Sequence, residues 1–134
     1  MTSPIDDFDA ILDAAESAER APVELEVALG DQVVTFEFIP MDGLEYSDLV
    51  ATHPPRPTAQ TDAGVGFNSH AAVRDLPVKY IRRVVDGERR EITQEQWDRA
   101  FSRFLGRDVE LAATCLWGVN FYTPNARVQQ LKKA

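Results

Sequence analysis

Val23-Glu24-Leu25-Glu26-Val27-Ala28-Leu29-Gly30-Asp31-Gln32-Val33-Val34-Thr35-Phe36-Glu37-Phe38-Ile39 is the stretch on which the fold turns. Val23, Leu25, Val27 and Leu29 alternate with Glu24, Glu26 and Ala28, the period-two pattern of a half-buried strand. Gly30-Asp31 supplies a turn. Val33, Val34, Phe36, Phe38 and Ile39 form a second strand, with Phe36 and Phe38 on the face of Val34. Two strands alone are marginal in water, so the hairpin must be covered by helices.

Working outward, the first segment reads as a helix with Ser3 as N-cap, Pro4 at its first position and Asp6, Asp7 and Asp9 at the positive end of its dipole. Ile5, Phe8, Leu12 and Ala15 share one face, and Pro22 stops the helix. After the hairpin, Asp42 and Glu45 have the spacing of a capped helix start, carrying Leu44, Tyr46, Leu49 and Val50 as far as about Thr52. His53-Pro54-Pro55-Arg56-Pro57 ends it, and residues 53–66 read as a mobile Pro/Gly loop. Asn68 is placed to cap a helix from Ser69, which Pro77 must kink or divide, with Val73, Leu76, Tyr80 and Val84 as its stripe. Residues 80–85 fit a strand equally well, and Asp86-Gly87 is a turn. Thr93-Gln94-Glu95-Gln96 is a capping box, followed by Trp97, Ala100, Phe101, Phe104 and Leu105. Gly106 closes that helix. Asp108 caps another, with Val109, Ala112, Leu116 and Val119 inward, and Thr123-Pro124 ends regular structure. The expectation is an α+β fold, an N-terminal helix and β-hairpin followed by a bundle of short helices on one core. Residues 1–124 form this single domain, and 125–134 are a polar tail.

The 134-residue length suits one domain, and 44% hydrophobic with 27% charged residues is ordinary globular composition. Cys115 is the only cysteine, which excludes an intrachain disulfide and suits a reducing compartment. No apolar run approaches a membrane span, and the N-terminus is acidic where a secretory leader would be basic and then apolar. A cytoplasmic location is therefore expected. The net charge of −8 argues against a phosphate-binding surface, hence no nucleic-acid partner.

Chemistry is hard to find. His53 and His70 lack metal-pair spacing and read as loop or cap residues. Cys115, in an apolar helix, has no base beside it and reads as a small buried hydrophobe. Gly64-Val65-Gly66 lacks the third glycine of a dinucleotide fingerprint and the Gly-Lys-Ser/Thr of a P-loop. Asp6, Asp7, Asp9 and Asp13 form a solvated helix face. Arg82, Arg83, Arg89 and Arg90 cluster with only Tyr80 for aromatic company, a thin RNA-binding signal. Pro54-Pro55-Arg56-Pro57 reads as a rigid spacer over a polyproline ligand. No catalytic, cofactor or metal residues are expected, and the chain reads as a binding protein. The contact candidates are aromatic: Trp117, Phe121 and Tyr122 near the end of the last helix, and Trp97, for which the core reading is strong. Self-association remains open.

Ile39-Pro40-Met41-Asp42-Gly43-Leu44-Glu45-Tyr46-Ser47-Asp48-Leu49, then His53-Pro54-Pro55, a Gly-containing loop, Phe67-Asn68, Thr93-Gln94-Glu95-Gln96-Trp97 and a last helix ending in Asn120 together resemble the tail assembly chaperones of siphovirus-type bacteriophages. The likeness spans roughly residues 33 to 120 and rests on a rhythm of residues, with no single diagnostic position. It implies a protein that binds the helical tape measure protein and assists tail-tube subunits to assemble around it. It further implies work in the infected host's cytoplasm and absence from the mature virion. It also implies a longer frameshifted form, with which Lys132-Lys133 is compatible. The competing expectation is a structural head–tail connector or tail-completion protein of the virion.

Overall fold

The computed structural model describes residues 7–134. Ser3, Pro4, Ile5 and Asp6, assigned above to the start of the first helix, lie outside the described residues. The elements run α1 (Phe8–Ser17), β1 (Val23–Leu29), β2 (Gln32–Phe38), α2 (Gly43–Ala51), α3 (Gln60–Val65), α4 (Ser69–Arg74), β3 (Ile81–Val85), β4 (Glu88–Glu91), α5 (Gln94–Phe101), α6 (Gly106–Trp117) and α7 (Thr123–Lys133). This is an α+β fold with helices against a four-stranded antiparallel sheet in the order β1-β2-β3-β4.

The opening hairpin forms around the expected Gly30-Asp31 turn, with Val23 opposite Phe38 and Leu29 opposite Gln32. A second hairpin, β3–β4, extends it. The ambiguity at 80–85 resolves as a 3-10 turn over Val78–Tyr80 followed by β3, because β2 offers a free edge with which Ile81 pairs opposite Phe38. Strand β4 is exposed throughout, and its four charged residues carry no alternating apolar signal. At Asp86-Gly87 both residues have positive φ, 50° and 79°, as a tight hairpin turn requires.

One face of the sheet carries Leu25, Val27, Phe36, Phe38 and Ile81, and the helices cover it. Trp97 is wholly buried at the centre, with Phe36, Phe38, Phe101 and Phe104 packed around its ring at centroid distances of 5.3 to 6.0 Å. Its indole N–H donates to the Arg74 carbonyl, so burial strands no polar atom. Helix α6 adds Ala112, Ala113, Leu116 and Val119, and α4 adds Ala72 and Val73. On the outer face Val33 is exposed, whereas one acidic residue is buried. Glu37 is 3% exposed and accepts from Arg82 at 2.6 Å and Arg89 at 3.3 Å, while Arg89 also reaches Glu19 at 2.9 Å.

Several boundaries differ from expectation. Helix α1 is capped by Asp7, whose carboxylate accepts from the Ala10 N–H. Asp42 does not cap α2 with its side chain, which pairs instead with Arg20 at 3.1 Å. The stretch 53–66, expected to be a loop throughout, contains α3. Its Asp62 is wholly buried, because the carboxylate takes the Arg56 backbone N–H and both arms of the Arg56 guanidinium. Asn68 caps α4 as expected, and α4 ends before Pro77. The Thr93/Gln96 capping box forms in full. Gly106 opens α6 rather than closing α5, and Asp108 sits in the first turn, accepting from the Leu105 N–H at 3.0 Å. Leu105, expected in the α5 stripe, is 74% exposed. Regular structure does not end at Thr123-Pro124. The stretch 125–134, expected to be a polar tail, is helical as far as Lys133.

Candidate functional site

The α6–α7 junction is the most unusual local structure in the described chain. Pro124 has no N–H to give Asn120, and its ring would crowd that carbonyl in an ordinary α-turn. The chain widens into a π-turn over Gly118–Tyr122, where the Thr123 N–H reaches back five residues to Gly118. The helix therefore passes through the proline and goes on as α7. Asn120 anchors the wide turn: its Oδ1 accepts from the Met41 N–H at 2.7 Å, and its Nδ2 donates to the Leu116 carbonyl at 2.9 Å. In the sequence Asn120 is merely the end of the last expected helix. A lone asparagine four residues before a proline gave no signal that it would bridge back to position 41.

Trp117, Phe121 and Tyr122 come together at this turn. Trp117 stacks on Phe121 at 5.9 Å and 18° between planes, and Tyr122 lies at 5.9 Å on the same indole. Trp117 is partly buried, whereas Phe121 and Tyr122 are 57% and 62% exposed. Beyond them Val128 and Leu131 stand in solvent on α7, which buries none of its residues. Trp97, named with the other three, is removed from them. With no exposed surface it is a core residue and not a contact.

Most of the arginines and both histidines weighed for chemistry are engaged structurally. In Arg82, Arg83, Arg89 and Arg90 the strand pleat divides the cluster. Arg82 and Arg89 share the outer face and converge on Glu37, while Arg83 and Arg90 oppose each other on the other face. His53 has Nδ1 2.7 Å from the Leu49 carbonyl and Nε2 2.8 Å from Asp75. The Asp75 carboxyl is held below its ordinary range by the Arg74 guanidinium first, with His53 assisting. His70 joins a chain from α3 to α6. Arg56, which holds Asp62, donates to His70 Nδ1 at 2.8 Å, and His70 Nε2 lies 2.9 Å from Glu110 at an angle poor for a hydrogen bond. The two arms of Arg56 drop the Asp62 carboxyl from its ordinary 3.8 to about 2. Burial raises the Cys115 thiol, and its sulfur faces the Glu24 carbonyl. The Pro54–Pro57 stretch is exposed.

Among the described residues no group of three or more His, Cys, Asp or Glu side chains is placed to hold a metal ion. No helix there is long and apolar enough to cross a membrane. The surface hollows are open; one of about 620 Å³ lies between the end of α1 and the Ile39-Pro40 corner, lined by Glu16, Arg20, Lys79 and Arg82. No protein-family model, no curated protein and no solved structure matches the chain.

Proposed function

We propose that this chain is a binding protein and no enzyme, a tail assembly chaperone of a siphovirus-type bacteriophage that holds the helical tape measure protein in the host cytoplasm. The observation that carries the reading is the exposed aromatic pair Phe121 and Tyr122 on Trp117, at the root of a helix that buries nothing. Large aromatic side chains give much contact area for little lost freedom and dominate interface energetics. A client built of amphipathic helices offers an apolar stripe that such a platform fits, without demanding one sequence. The −8 charge keeps a body carrying that surface dispersed.

Co-expression with the large helical protein encoded nearby tests this. The expected outcome is a soluble complex that survives purification, and Phe121→Ser with Tyr122→Ser releases the client while leaving the chaperone folded, since both side chains are exposed. An insoluble client with no recoverable complex would sink the proposal. A stable ring formed by the chain alone, and its presence in finished particles, would favour a head–tail connector instead.

A further inference from the structure

Eleven large hydrophobic side chains are exposed among the described residues, and seven of them lie in two places. Phe8, Ile11 and Leu12 are on α1, and Phe121, Tyr122, Val128 and Leu131 are on α7 and the turn that feeds it. Neither helix buries a residue. Helices of ten and eleven residues are too short to be held by propensity alone, so an amphipathic stripe on each calls for a packing partner. Their charges are opposite. From Asp7 to Ser17 there are four carboxylates, Asp7, Asp9, Asp13 and Glu16, and no cation. From Thr123 to Lys133 there are three cations, Arg127, Lys132 and Lys133, and no carboxylate.

We propose that α1 of one copy docks against α7 of a second copy of this chain. Pairing α1 with α1 would bring carboxylates together, and α7 with α7 would oppose cations, so only the crossed pairing is complementary. The lengths match at about 15 and 16 Å. Both helices are rooted at the same corner: Arg20 donates to the Met41 carbonyl at 3.3 Å, and Asn120 takes the Met41 N–H at 2.7 Å. From those fixed roots each leaves its apolar side chains in solvent within its own chain, so the cover comes from a neighbour. A pair related by a two-fold axis makes the contact twice, which is how two short helices reach a stable interface. The inference does not depend on the chaperone reading, because it uses the apolar and charged positions of α1 and α7 and needs no client.

Sedimentation equilibrium on the purified full chain, from micromolar to hundreds of micromolar, is the test. The expected result is reversible association that weakens as salt rises. Leu12→Asp should weaken it about tenfold or more. Asp9→Lys with Asp13→Lys should weaken it too, and adding Lys132→Glu with Lys133→Glu in the same chain should restore it. These positions are exposed, so the variants fold, which circular dichroism checks. Isotope-filtered NOEs in a mixed labelled and unlabelled sample should connect α1 of one copy to α7 of another. A wild-type monomer throughout, failure of the double charge swap to restore association, or α1–α7 contacts found only within one chain would each overturn the proposal.

Discussion

Helix α5 and helix α7 both carry large apolar side chains, and these end in opposite states. The first places Trp97 at the centre of the molecule with no exposed surface; the second leaves Val128 and Leu131 half exposed. The difference lies in what each faces. Helix α5 meets the sheet carrying Phe36 and Phe38, which closes around it. Helix α7 projects past the wide turn and buries none of its residues against the rest of the described chain. Amphipathic spacing therefore reports a need for cover and does not say whether the cover belongs to the same chain.

The comparison is broken most forcefully from the core side. Trp97→Ala should cost about 3 to 5 kcal/mol in denaturant unfolding, since it empties the space shared by four aromatic rings. A loss comparable to a surface substitution would mean the centre is elsewhere. Glu37→Gln should cost about 2 kcal/mol, because Arg82 and Arg89 lose the buried charge between them while Arg89 keeps Glu19.

Acid unfolding sharpens the picture at Asp62. Its carboxyl is lowered in the folded state, so its contribution is complete above 3.8 and disappears as pH falls through about 2. Asp62→Asn should be less stable than wild type at neutral pH, with the deficit shrinking over that acid window. A deficit independent of pH would show that Asp62 acts by shape and not by charge. The smallest effect belongs to the terminal helices. Leu131→Ala at dilute concentration should shift stability by less than about 0.5 kcal/mol. A larger loss in dilute samples would show that α7 is covered within its own chain.

The β1–β2 hairpin, the α4 cap, the capping box of α5 and the inner stripe of α6 were legible because each is a local pattern with a local cause. Strand β4 was not, since Glu88-Arg89-Arg90-Glu91 pairs through its backbone alone. The helix past Pro124 was hidden as well, because proline normally predicts an end, and the π-turn that evades it depends on Asn120 finding Met41 79 residues away. Asp62 looked like part of a polar loop until Arg56 was folded onto it.

At the candidate site, the sequence by itself named Trp117, Phe121 and Tyr122, and their nearness along one helix end was enough to group them. It named Trp97 beside them with a strong core reading, and the complete burial of that side chain came from what packs over it. Composition, charge and periodicity determined that this chain has one sheet-and-helix core and an amphipathic N-terminal helix, and they read its other end as a polar tail. Which apolar faces found partners and which stayed in solvent was decided only by the tertiary structure, because burial is a property of pairs of surfaces and the chain's local pattern specifies one surface at a time.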